Sequence, residues 1–176
     1  MAVMVTPRRD RDVGELLGLV GPWAWVFLGL YAVVFTTLAL VDGLPNVGAP
    51  VTFGALVLVM AAATLIAAPS ATPVPVPRLV VIGALAWASV AVMFIDLPVR
   101  RSDPLSSWEL VAVNFVLFVL ELRGRIVAAW ALMGVVMLTA VVWSLIHSGQ
   151  PWPGIALTYG QAVSLAAGTV FAIGLH

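Results

Sequence analysis

Cysteine and lysine are both missing from this sequence, and charge of either sign is scarce. Without cysteine there can be no disulfide, no thiolate metal site and no cysteine nucleophile. Every basic side chain is an arginine, eight in all, and eight acidic residues balance them. With no net charge to attract a polyanion, no nucleic-acid partner is expected. Charged residues make up 9% of the chain, against roughly 25% in a soluble domain. Hydrophobic residues make up 62%. Such a chain cannot cover itself with polar surface, so lipid is its expected solvent.

Other absences narrow the reading further. There is no Ser/His/Asp arrangement, no metal-ligand cluster and no phosphate-binding glycine loop, so neither an enzyme nor a cofactor or metal site is expected. The period-2 alternation of a membrane β-barrel is missing. No convincing internal repeat or mid-membrane charge speaks for a proton-coupled carrier, although a facilitator stays open.

What the sequence does have is long apolar runs. A spanning helix needs roughly 20 apolar residues, and its backbone must be satisfied internally. Six segments qualify: 23–41, 51–68, 79–97, 107–122, 126–146 and 155–175. Pro- and Gly-rich breaks separate them, and 69–77, with Pro69, Pro73, Pro75 and Pro77, reads as an extended connector. The first run is longer than a signal-peptide core, so it is read as a retained anchor. The fold class is therefore all-α, a polytopic bundle of six spans over 23–176. Residues 1–22 form a cytoplasmic segment. Within it Val13, Leu16, Leu17 and Val20 share one helical face, either an interfacial helix or an extension of the first span.

Arginine placement sets the orientation. With both ends in the cytoplasm, Arg8, Arg9, Arg11, Arg78, Arg123 and Arg125 lie inside and Arg100 and Arg101 outside, six against two. The fourth segment is the weak one, because it is short and contains Glu109 and Asn114. Were it re-entrant, Arg123 and Arg125 would move outside and the bias would vanish.

The polar residues inside or beside these spans are the site candidates. Ser107 is placed to cap the fourth helix, and Glu109 sits in its first turn, where the dipole favours an anion. Asn114 lies deeper and needs a partner in the bundle; Gln161 on the sixth helix is the preferred one. Gln161 either bonds a neighbouring helix or contacts a ligand. Glu121 and Arg125, four apart across Gly124, read as a solvated pair near the inner surface. His147, at the outer end of the fifth helix, is either solvated or a pH sensor. Asp96, Arg100, Arg101 and Asp103 form an outer-loop charge cluster, solvated or a docking site. Ala156, Gly160, Ser164, Gly168 and Ala172 recur every four residues, a stripe of small side chains suited to close helix approach. Trp23, Trp108, Trp143 and Trp152 are expected in the aromatic belts, with Trp25, Trp87 and Trp130 packed deeper.

Two stretches, VAVNFVLFVLELRGRIVAAW at 111–130 and QAVSLAAGTVFAIGLH at 161–176, carry a family resemblance. They resemble the N-terminal membrane region of actinobacterial sensor histidine kinases. The resemblance implies a membrane bundle that feeds a cytoplasmic dimerisation helix and an ATP-binding domain. This chain departs from the pattern, with no kinase domain, no ATP-binding glycine boxes and no phosphoacceptor motif around His176. The sixth helix also runs apolar to Leu175 with no basic anchor, as expected of a fragment or a detached sensor module. The function expected is a non-catalytic membrane input module in the plasma membrane. Its partners would be the lipid bilayer and either a second copy of the chain or a cytoplasmic signalling protein. The alternatives are a small oligomeric transporter or facilitator, and a membrane scaffold subunit.

Overall fold

A computed structural model describes residues 22–69, 73–96 and 107–174. The interfacial helix expected over 13–20, the loop charges Arg100, Arg101 and Asp103, the Asp96 side chain and His176 lie outside the described residues. The described chain is helical, with no strand.

The six expected helices are all present. They are α1 (Pro22–Leu38), α2 (Ala49–Ala67), α3 (Val76–Asp96), α4 (Trp108–Leu122), α5 (Ile126–Ser148) and α6 (Trp152–Gly174). Their ends differ from the sequence reading by a few residues because proline starts helices here. Pro50, Pro77 and Pro153 occupy first turns, where their missing N–H would have had no helical partner. The connector expected over 69–77 is accordingly shorter. Gly149, with φ of 70°, closes α5 in the left-handed conformation and its N–H bonds the Leu145 carbonyl at 3.0 Å. Gly124, with φ of 75°, makes the tight turn from α4 into α5.

The end of α1 is unusual. The chain continues through a π-helical segment, Ala39–Gly43, and one further turn, Leu44–Val47, before Gly48 breaks the path at φ of 91°. Such π segments are rare and concentrate at functional sites.

Five helical stretches are long and apolar enough to cross a bilayer: Trp23–Gly43, Ala49–Ala67, Val76–Ile95, Ile126–Ser148 and Trp152–Gly174. The exception is α4. Its 15 residues rise about 22 Å, short of a hydrocarbon core of about 30 Å. It is also the most enclosed helix. It packs against all five others, and Val113, Val116, Leu117 and Leu120 are buried among them. The other helices run round it in the order α1, α2, α3, α5, α6. The ring is open between α6 and α1, which do not pack extensively on one another.

Outward faces are as apolar as inward ones. Val33, Leu138, Ile146 and Val170 point out, while Val59, Ile82, Met133 and Leu165 point in. Water therefore does little to drive these helices together. Close packing and a few polar contacts hold them, such as Tyr31 Oη donating to the Ala112 carbonyl at 3.0 Å and Ser89 Oγ to the Ala55 carbonyl at 2.9 Å. The tryptophans sort accordingly. Trp23 and Trp152 are exposed, as belts require, but Trp108 and Trp143 are buried in the bundle. Trp25, Trp87 and Trp130 are exposed on the outer face and not packed inside. The indoles of Trp87 and Trp130 bond Thr139 and Thr169 at 3.0 and 2.9 Å, which satisfies their N–H without burying the ring.

Candidate functional site

Because α4 is largely enclosed by protein, its polar side chains face other helices. Asn114, 9% exposed, donates from Nδ2 to Ser164 Oγ on α6 at 3.2 Å. The expected partner, Gln161, is not the one used. Ser164 is one turn closer to Asn114 along α6, and its short side chain lets the helices approach. Two turns further down α4, Glu121 is fully buried and its Oε1 accepts a hydrogen bond from Thr169 Oγ1 at 2.6 Å. Thr169 in turn accepts the N–H of Trp130. The solvated Glu121–Arg125 pair expected from the sequence does not form. Glu121 turns to α6, and Arg125 turns to the connector before α3.

Between these two bonds α6 carries Gly168. A Cβ there would lie 2.5 Å from Phe118 Cδ2 and 2.8 Å from Glu121 Oε2. The position admits hydrogen alone. The small-residue stripe therefore holds in part: Gly168 and Ala172 are buried, whereas Ala156, Gly160 and Ser164 are exposed. A Cβ on Gly160 would meet nothing within 4 Å. The stripe drifts because 3.6 residues per turn carries every fourth residue steadily round the helix. Gly154 takes the place of Gly160 as the other close contact, packing on the backbone of Ala140 and Val141.

The seam borders an open groove of about 470 Å³ in the gap between α1 and α6. Asn114, Phe115 and Phe118 floor it, with Phe35 on one wall and Ser164 and Phe171 on the other. Its lining is mostly apolar and aromatic, and its one polar patch is the Asn114–Ser164 pair.

One end of the bundle is fastened by arginine. Arg78 donates to the carbonyls of Leu65 at 2.8 Å, Ala68 at 3.0 Å and Pro69 at 3.1 Å. Arg123, 1% exposed, donates to the Ile66 carbonyl. Arg125 donates to the Val74 carbonyl at 2.9 and 2.6 Å. Leu65 and Ile66 belong to the last turn of α2, whose carbonyls have no helical partner and carry the negative end of the dipole.

The opposite end is built differently. Ser107 stands at the N-cap of α4 but makes no cap bond, and its buried hydroxyl has no partner. Glu109 sits in the first turn of α4, as expected, and is 1% exposed. Neither of its carboxylate oxygens has a hydrogen-bond partner. Thr52 Oγ1 and Trp108 Nε1 are likewise buried without partners. His147 lies at this end too, exposed, with Nδ1 2.9 Å from the Trp143 carbonyl. Of these groups, Thr52 and Asp42 were not singled out from the sequence, and Trp108 was expected in an aromatic belt. A lone Thr or Asp in an apolar run gives no sign of facing inward. Thr169 and the burial of Arg123 were equally hidden.

A ring of apolar helices long enough to span a bilayer, closed on a short polar-bearing core helix, defines a multi-pass α-helical membrane protein. The chain belongs to the family described as Domain of unknown function (DUF8320), whose model matches residues 21–175. No curated protein and no solved structure matches it.

Proposed function

We propose that this chain is a non-catalytic membrane input module of the kind that precedes a histidine kinase, held in the plasma membrane with its arginine end toward the cytoplasm. The α4–α6 seam is the observation that carries this reading. Two side-chain hydrogen bonds and one glycine contact fix α6 to the core helix, directly beside a groove open to the membrane. A stimulus that enters the groove, or displaces the Asn114–Ser164 bond, favours a second packing of α6. Signalling requires that the stimulus bind the two packings with different affinity. Helix α6 then carries the change toward the arginine end. The kinase-like stretches at 111–130 and 161–176 fall on the helices of this seam, which supports the same reading.

The test is a chimera in which the chain is joined after α6 to the cytoplasmic region of a histidine kinase. Ser164→Ala and Thr169→Val are expected to shift autophosphorylation in membrane vesicles while detergent-solubilised chimera still melts cooperatively. Unchanged output in both folded variants would overturn the input-module reading. Solute flux through the purified chain in liposomes would favour a facilitator instead. Orientation is tested separately with Ser70→Cys and Ser102→Cys in intact cells. An impermeant maleimide should label only the second.

A further inference from the structure

The groove between α1 and α6 is lined more specifically than a gap filled by lipid tails requires. Phe35, Phe115, Phe118 and Phe171 surround it, and Asn114 and Ser164 are its polar groups. Phe115 and Phe171 are 40% and 49% exposed, so their rings are open to an occupant. Asn114 is 9% exposed and commits Nδ2 to Ser164, while its Oδ1 has no hydrogen-bond partner. Ser164 accepts that bond at 3.2 Å and makes no other hydrogen bond among the described residues, so its hydroxyl hydrogen is unused. The pair therefore holds one spare acceptor and one spare donor. Turning the amide over exchanges the two roles and leaves the same complement.

A buried carbonyl oxygen without a donor is costly, and hydrocarbon offers none. The amide torsion of asparagine is broad and soft, so the oxygen swings toward the groove when a donor arrives there. One group satisfies both halves of the pair at once: a hydroxyl, which donates to Asn114 Oδ1 and accepts from Ser164 Oγ. A lipid tail carries no such group. Asn114 lies about 9 Å from the start of α4 and about 12 Å from its end. Phospholipid headgroups stay at the bilayer surface, so at that depth a phospholipid presents its tails alone. A groove of about 470 Å³ falls in the range of about 300–1,000 Å³ that holds a drug-sized molecule. The phenylalanine rings favour a ring in the occupant, packed offset or edge to face.

We propose that the groove binds a lipid-soluble, ring-bearing alcohol, of which a phenol is the simplest case. Its ring packs among the phenylalanines, and its hydroxyl bridges Asn114 and Ser164. The hydroxyl takes the place of the Asn114–Ser164 bond, so occupancy loosens α6 from α4 at that point and leaves the Glu121–Thr169 bond in place. This names the ligand class of the groove that the input-module reading uses, and its signalling consequence rests on that reading. Binding itself does not.

The experiment measures thermal unfolding of the full chain in phosphatidylcholine nanodiscs against three probes of like shape: para-hexylphenol, its methyl ether and hexylbenzene. The phenol donates and accepts, the ether only accepts, and the hydrocarbon does neither. A saturable rise in Tm is expected with the phenol. The ether should bind about threefold more weakly and hexylbenzene about tenfold, the scale of one and two polar contacts in a membrane. Asn114→Leu and Ser164→Ala should each narrow these differences. Ala167→Trp, at an exposed position on the groove wall, should abolish the response to all three. The Ser164 and Ala167 variants keep the test decisive should Asn114→Leu fail to fold. Equal binding of the three probes by wild type would show hydrophobic partition alone and overturn the proposal. So would a phenol response untouched by Ala167→Trp, or a dimer in nanodiscs that separates on that substitution, which would seat a second copy in the groove. In the kinase chimera the phenol should also shift autophosphorylation. Binding with these features and an unmoved output would overturn the input-module reading and leave the site standing. Seam variants that shift output in a chain that binds no phenol would overturn the site and leave the reading standing.

Discussion

At one end of the bundle Arg78, Arg123 and Arg125 reach backbone carbonyls of α2 and the segment that follows it. At the other, Thr52, Ser107, Trp108 and Glu109 are buried with their polar atoms unpartnered. The contrast follows from side-chain length and donor count. An arginine has five donors on a long stem, and a helix C-terminus offers up to four bare carbonyls, so the two meet at that end. The opposite end holds two hydroxyls, an indole N–H and a carboxylate on short or rigid stems that do not bring donor to acceptor. An end fastened by arginine-to-carbonyl bonds suits a fixed structural clamp. An end that leaves buried polar atoms unpaired is the weaker and more adaptable of the two.

The sharpest way to break this comparison is to remove a clamp residue. Arg123→Ala strips a buried carbonyl of a charged donor and should destabilise the protein by about 2–3 kcal/mol, read as thermal unfolding in detergent. Glu109→Gln should be tolerated or should stabilise, since it removes a buried charge whose oxygens have no hydrogen-bond partner. A larger loss for Glu109→Gln than for Arg123→Ala would reverse the roles assigned to the two ends.

Between the ends, Gly168→Leu should cost about 1–3 kcal/mol by forcing Phe118 and Glu121 aside. Gly160→Leu should leave unfolding unchanged, because that side of α6 is open. Equal costs at both glycines would mean that the whole four-residue stripe is packed. The smallest effect belongs to the Asn114–Ser164 bond. Asn114→Leu and Ser164→Ala should couple in a double-mutant cycle by about 0.6 kcal/mol, the average for polar contacts in membranes. Asn114→Leu with Gln161→Leu should show no coupling.

How much of this was legible depends on what the signal measured. Helix number and approximate position came through because proline, glycine and run length act locally. Which face of each helix points inward did not, since Val33 and Val59 are the same residue type on opposite sides. In lipid the outward face carries no polar pattern to contrast with the core. Polar residues were the remaining guide, and Asn114 does bond a residue of α6. The partner of Asn114 was missed because a choice between Ser164 and Gln161 turns on helix rotation and separation. The short fourth segment, weak as a span because of Glu109 and Asn114, proves to be the core helix for the same reason. Polar groups are affordable where protein replaces lipid. The carboxylate end stayed hidden because Asp42 sits in a Gly/Pro-rich break that read as punctuation, and a π segment leaves no mark in composition.

The central claim is that α4 is enclosed by the other five helices. Because the chain has no cysteine, single cysteines can be placed at Ala112 on α4 and Ala166 on α6 and treated with a lipid-soluble maleimide in nanodiscs. Ala112 is fully buried and Ala166 exposed. The account requires rapid labelling of Ala166→Cys and labelling of Ala112→Cys only after denaturation; equal labelling of both in the folded protein would contradict it.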